Sequence, residues 1–362
     1  MTVEEAAAEI REHAAAGRAV RPRGGGTKLG WGGQTEATDF DTRRLNRILE
    51  HNEGDFTAIL EAGVPLVEAQ ATFGRAGQML ALDPPLGAGA AATVGGVIAA
   101  NDSGPIRHRY GGVRDLVVGM TVVLSDGTIA KSGGKVIKNV AGYDLAKLFA
   151  GSFGTLGLIA RVAVRLHPAP ARTATLTART GDPDALAAAA AQLAALPLEA
   201  DCLDAGWDGD AGWLSVRFAG TTAADRANAA RAHLDLPEAT IVDDDQEHWA
   251  AQRDRQRANL IVKVSGRPTD LPAVIGEARA AGGSLVSRAA LGLSWIALPA
   301  GADVAALRAA LAPRSCTVLD GADTVQDPWP AVDPGVLAVM ERIKARFDPA
   351  QTFRPGAFVG GL

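Results

Sequence analysis

Residues 21–33 read RPRGGGTKLGWGG, six glycines and three cationic side chains in one short run. Glycine has no Cβ, so other atoms can come close to its N–H, and it adopts positive φ at little cost. Successive N–H groups in such a loop make a concave anion site. The same composition also describes an ordinary surface turn. The stretch has neither the GxGxxG spacing of a Rossmann turn nor GxxxxGK[ST], which argues against a doubly wound dinucleotide fold and a P-loop.

Three further segments share its character. Residues 83–104 read DPPLGAGAAATVGGVIAANDSG, residues 109–119 read RYGGVRDLVVG, and residues 138–162 read KNVAGYDLAKLFAGSFGTLGLIARV. Between them lie strand-like runs, including LVVGMTVVL and TIA on either side of Ser125-Asp126-Gly127, a hairpin signal. Four such loops in one domain point to an extended ligand that runs close to main chain.

The rest of the chain narrows the class. It has 362 residues, 47% of them hydrophobic and 21% charged, enough for two packed cores. A net charge of −5 argues against a nucleic-acid partner. Cys202 and Cys316 are the only cysteines, which excludes a multi-cysteine cluster and suits a reducing, cytoplasmic setting. The six histidines form no HxH or HxxxH pair, so no metal site is expected. The start lacks the pattern of a signal peptide, and no apolar run is long enough to span a bilayer. We therefore expect no direct membrane insertion, with any membrane association coming through partners.

Thr2 and Glu5 read as a capping box opening a first helix. After Pro168 the pattern changes to alanine-rich helices alternating with strands such as GWLSVRFAG and LIVKVSG. The expected division is a first domain over 1–168, a smaller α+β cap-like domain over 172–335, and a segment over 336–362 that returns to the first. The acidic run 243–245 reads as a solvated turn, and Arg253, Arg255 and Arg257 as the face of a solvent-exposed helix.

Taken together, residues 23–28, 93–101 with Ser103 and Gly104, 109–115, 151–159 and 347–356 resemble the motifs of one family. They are similar to the PCMH-type FAD-binding domain of the vanillyl-alcohol oxidase superfamily, most of all to the FAD-binding subunits of bacterial glycolate oxidases. The closing pattern has asparagine where this chain has Arg354. The resemblance implies an α+β fold: a two-subdomain FAD-binding domain followed by the smaller cap-like domain. It implies cofactor contacts from Pro22, Arg23, Gly24, Gly25, Gly26, Thr27 and Lys28, then from Pro85, Gly87, Thr93, Gly95, Gly96, Asn101, Ser103 and Gly104. Arg109, Tyr110, Gly111 and Asp115 follow, and then Gly154, Thr155, Gly157 and Ile159. Lys138, Arg109 and Arg354 are candidates for a cation beside the flavin ring.

Relatives that tether flavin do so through a histidine in the first loop. This loop has none, so FAD is expected to be non-covalent. The resemblance also implies oxidation of glycolate or a related 2-hydroxy acid, with a sibling flavin subunit that oxidises the 2-hydroxy acid and an iron–sulfur subunit as partners. It assigns no catalytic residue. A scaffold subunit that holds FAD without catalysis and a stand-alone FAD-dependent alcohol oxidase are the alternatives.

Overall fold

Thr2 and Glu5 cap the first helix, Val3–Ala15, reciprocally: Glu5 N donates to Thr2 Oγ1 at 3.1 Å and Thr2 N donates to Glu5 Oε2 at 2.8 Å. The helix buries Val3, Ala6, Ala7 and Ile10, one face at i, i+3, i+4 and i+7, in a cluster with Val20, Phe40, Leu158 and Phe353. The protein is seen in a computed structural model that describes residues 1–134 and 144–362. The described chain divides into two compact units. One comprises Met1–Ser103, Gly111–Ala169 and Ala331–Leu362; the other comprises Gly104–Tyr110 and Pro170–Pro330.

In the first unit the strand Val20–Arg23 pairs in parallel with Thr38–Asp41. A five-stranded antiparallel sheet runs in the order Ile48–Asn52, Thr57–Glu61, Leu158–Arg165, Val117–Val123, Ile129–Gly133. The last two form the hairpin expected around residues 125–127, where Gly127 takes φ +80° and donates to Leu124 O at 3.0 Å. Leu158–Arg165 is central and nearly all buried, which is why its sequence is apolar on both faces.

Glu61, fully buried at the end of Thr57–Glu61, takes three hydrogen bonds from Arg47. Burial alone would raise its carboxyl pKa, but the Arg47 bonds and charge outweigh burial and hold it below the ordinary value. A carboxyl depressed in the folded state adds stability above its unfolded pKa and loses it as pH falls through the folded one. Glu61→Gln should therefore cost about 1–3 kcal/mol at neutral pH. The gap from the native protein should shrink as urea melts are repeated at increasingly acid pH. A gap that widens in acid would contradict this assignment.

The second unit holds an eight-stranded sheet. Its order is Thr240–Val242, Thr173–Thr180, Ala211–Ala219, Cys202–Asp208, Ser284–Arg288, Leu293–Ala297, Ile261–Ser265, Ser315–Val318, and every neighbouring pair is antiparallel. The helices Pro183–Ala195, Ala223–Ala232, Leu271–Ala280 and Val304–Leu311 supply Leu186, Ala227, Val274 and Leu307 to the core on that sheet. The α+β class expected from the sequence is the one the structure has.

Two local expectations change. The acidic run is not a purely solvated turn, because Asp245 is buried and accepts from Thr173 Oγ1 at 2.9 Å and Thr175 Oγ1 at 2.7 Å, beside Arg217 at 3.2 Å. Nor do the arginines after it simply face water: Arg255 lies over the Trp213 ring at 4.5 Å, and Arg257 pairs with Asp320 at 2.6 Å. No described helix is long and apolar enough to cross a membrane.

Candidate functional site

The strand Val20–Arg23 delivers the chain into residues 24–28, and packing shows why glycine is needed there. A Cβ on Gly25 would lie 1.6 Å from Ala91 O, and one on Gly24 would lie 2.1 Å from Thr93 Oγ1. The loop is therefore pressed main chain to main chain against residues 91–93. Gly26 takes φ +74°. Thr93 in turn caps the helix Val94–Ala100, its Oγ1 accepting from Gly96 N at 3.3 Å. Gly95 donates to Ala62 O at 2.7 Å, and a Cβ there would meet Ala62 Cβ at 2.5 Å. These contacts leave one wall of a cleft built from backbone, Gly96, Ala99 and Ala100.

The opposite side comes from residues 153–159 and the closing segment of the chain. Phe153 pairs its carbonyl with Arg354 Nη1 at 2.9 Å, and Phe353 bridges in parallel to Val20. Behind them Lys344, almost fully buried, donates to Thr155 O, Asp348 Oδ2 and Phe353 O at 2.7, 2.7 and 2.8 Å. All three ammonium protons are used, so Lys344 fixes the closing segment to the GSFGTLG turn. Burial lowers its pKa, and the Asp348 charge offsets part of that effect.

Two cations line the cleft, and no acid does, among the described residues. Lys28 is compensated within the chain: its Nζ lies 3.1 Å from Asp102 Oδ2, donates to Pro85 O at 3.3 Å and sits over the Trp31 ring at 5.7 Å. Arg354 is 6% exposed and ordinarily charged, though burial and the neighbouring Arg21 charge push its pKa down to about 10.

Of the residues singled out from the sequence, the structure brings Pro22, Gly24, Gly25, Gly26, Thr27, Lys28, Thr93, Gly95, Gly96, Gly154, Gly157 and Ile159 together along this cleft. Others do not line it. Arg23 pairs with Asp39 at 2.7 Å, the Pro85 carbonyl holds Lys28, and Gly87 at φ +71° packs against Thr27. Asn101 ends the helix in the left-handed region, Ser103 N donates to Asp102 at 2.9 Å, and Thr155 Oγ1 donates to Ser152 O at 2.7 Å. Gly111 packs on Asp115, whose Oδ2 accepts from Gly112 N at 2.8 Å.

Gly104, Arg109 and Tyr110 belong to the second unit. There Arg109 lies 3.4 Å from Asp201 Oδ1 and donates to Glu199 O at 3.3 Å. Burial raises the Asp201 and Tyr110 pKa values and lowers that of the half-buried His108. Lys138 and Tyr143 lie outside the described residues. Leu29, Thr42, Ala62, Val97, Phe153 and Leu158 also line the cleft. Thr42 and Ala62 sit outside every glycine-rich segment, so composition gave no signal for them. Phe153 and Leu158 lie inside the glycine-rich segment 138–162, where only its small residues signal a site.

The cleft fits a dinucleotide on its own chemistry. It offers main-chain and small-residue walls, a charged guanidinium, and no carboxylate to repel phosphate. Among the described residues no group of three or more His, Cys, Asp or Glu is placed to hold a metal ion.

Comparison with known proteins agrees. Residues 1–133 match the family described as FAD binding domain. The chain is 34% identical over 181 residues to glycolate oxidase subunit GlcE of Escherichia coli, covering 50% of this chain and 51% of that one. It is 38% identical over 172 residues to glycolate oxidase subunit GlcD of Bacillus subtilis, covering 46% and 36%. It is 35% identical over 138 residues to a mitochondrial D-lactate dehydrogenase [cytochrome] of Saccharomyces cerevisiae, covering 38% and 23%. The matches thus span about half of these curated relatives or less. A solved alkyldihydroxyacetonephosphate synthase superposes with a TM-score of 0.72 at 15% identity, over 97% of this chain and 74% of that one, a likeness of fold. The first 133 residues of the chain thus match an FAD binding domain, and the chain is similar to FAD-linked oxidoreductases.

Proposed function

We propose that this chain is the FAD-binding subunit of a glycolate oxidase-type complex. In this reading glycolate or a related 2-hydroxy acid is oxidised to the 2-oxo acid, beside a sibling subunit that oxidises 2-hydroxy acids. Electrons pass onward to an iron–sulfur partner. The observation that carries the reading is a cleft with no acid among its described residues, walled by main chain and small residues, in a chain similar to named glycolate oxidase subunits.

When bound, FAD supplies a two-electron acceptor. The residues have separable tasks. Gly96, Ala99 and Ala100 leave room for a flat ring against a helix. Residues 24–27 bring N–H groups toward phosphate, and Lys344 holds the GSFGTLG turn in place. Both cysteines, Cys202 and Cys316, are buried in the second unit, and among the described residues no group of three or more His, Cys, Asp or Glu comes together, whereas an iron–sulfur cluster takes four Cys or His ligands. An iron–sulfur centre in the pathway therefore falls to another subunit.

Anaerobic absorption spectra test this. The chain loaded with FAD should keep its oxidised flavin band when mixed with glycolate alone, and lose it once the sibling subunit is added. Bleaching by glycolate without any partner would favour a stand-alone oxidase. A band unmoved in the complete complex, while the complex turns glycolate over, would favour a scaffold role.

A further inference from the structure

Among the described residues the chain pairs its deeply buried cations with carboxylates, with one exception. Arg288 has Asp204 at 2.8 Å, Lys344 has Asp348 at 2.7 Å, and the nearly buried Lys28 side chain has Asp102 at 3.1 Å. Arg354 is as deeply buried, yet no carboxylate of the described residues lies within ion-pairing distance of it. Its Nη1 donates to Phe153 O at 2.9 Å, while its Nε is buried without a hydrogen-bond partner. The charge that acts on it is Arg21, of the same sign. The cleft it lines holds no acid among the described residues. Burying a charge without a counter-charge is strongly unfavourable, and guanidinium stays protonated at neutral pH.

The backbone adds a second observation. Arg354 sits at φ +41°, in the left-handed region that asparagine or glycine enters far more readily than arginine. A strained main chain and an uncompensated charge are thus kept at one residue, on the wall of the candidate site.

We propose that Arg354 is the anion receptor of the cleft, neutralised by the anionic part of the bound dinucleotide and by no carboxylate of this chain. The proposal rests on the FAD reading of the cleft. Two parts of FAD could supply the charge: the pyrophosphate, or the flavin ring, which gains negative charge on reduction. Both would accept from guanidinium N–H groups other than the one that Phe153 O takes.

The test compares the native full chain with Arg354→Gln, each prepared without flavin and then titrated with FAD. Removing an uncompensated buried charge should leave the flavin-free variant at least as resistant to thermal unfolding as the native chain. With FAD added the order should reverse. If the pyrophosphate is the anion, the FAD dissociation constant should rise at least tenfold with an unchanged midpoint potential. If the ring is the anion, binding of oxidised FAD should be nearly unchanged. The two-electron potential should then fall by about 30 mV or more, the equivalent of a tenfold loss of preference for the reduced form. Wild-type FAD affinity and potential in the variant would overturn the proposal, as would collapse of its flavin-free form. A native chain that folds but binds no FAD would instead refute the reading of the cleft.

Discussion

Gly25→Ala should strip the protein of FAD and destabilise the first unit by at least about 3 kcal/mol, the upper end of ordinary overpacking costs. The new Cβ would lie 1.6 Å from Ala91 O, a backbone atom that no rotamer change can clear. Residues 24–28 and 91–93 must separate, and Thr93 then shifts together with the helix it caps. Flavin content after purification and thermal unfolding both report this. Two controls isolate the cause. A Cβ on Gly96 meets only Thr93 Oγ1 at 3.1 Å, and one on Gly30 meets nothing within 4 Å. Gly96→Ala should cost far less stability than Gly25→Ala, and Gly30→Ala should be silent. A Gly25→Ala protein with native flavin content and unfolding temperature would show that the loop is not pressed onto Ala91.

Lys344→Met should be of comparable size. It keeps the length of the side chain but strands Asp348, which is fully buried and also accepts from Thr352 N at 2.9 Å and Phe353 N at 2.8 Å. Breaking a buried pair from one side costs roughly 3–5 kcal/mol, a fall in unfolding temperature of order 10 °C for a unit of this size. The carbonyls of Thr155 and Phe353 lose their donor in the same step, so FAD retention should fall as well. Lys344→Met with Asp348→Asn should recover part of the loss, since an amide carries no charge and its oxygen still accepts from one of the two N–H groups. A double variant no better than the single would mean the stranded charge is not the source of the cost.

Much of this was legible in the sequence, for uneven reasons. The capping box, the hairpin at residues 125–127 and the central strand follow from local chemistry, and the structure has all three. The glycine-rich segments announced a ligand site because few other folds need so many bare positions. What they did not announce was the cause at each position. Gly24 and Gly25 read as room for phosphate, yet Thr93 and Ala91 already require them to be glycine. Gly25→Asp, which from sequence would place a carboxylate against phosphate, therefore breaks the packing before any electrostatic effect can be read.

Lys28 likewise reads as a phosphate ligand until Asp102, distant in sequence, is seen beside it. The Lys344 clamp joins residues 155, 348 and 353, and no local pattern predicts a pairing across that span. Asp245 was misread for a related reason. Three consecutive acids look solvated, but a threonine row on a neighbouring strand takes one of them inside.

The central claim is that the cleft of the first unit holds FAD without a covalent bond. Its most direct test is to reconstitute the full chain with FAD, remove the excess, denature the protein and assay flavin in the supernatant and the pellet. The account predicts about one FAD per chain, all of it released to the supernatant. A folded chain that retains no flavin, or flavin that stays with the denatured protein, would contradict it.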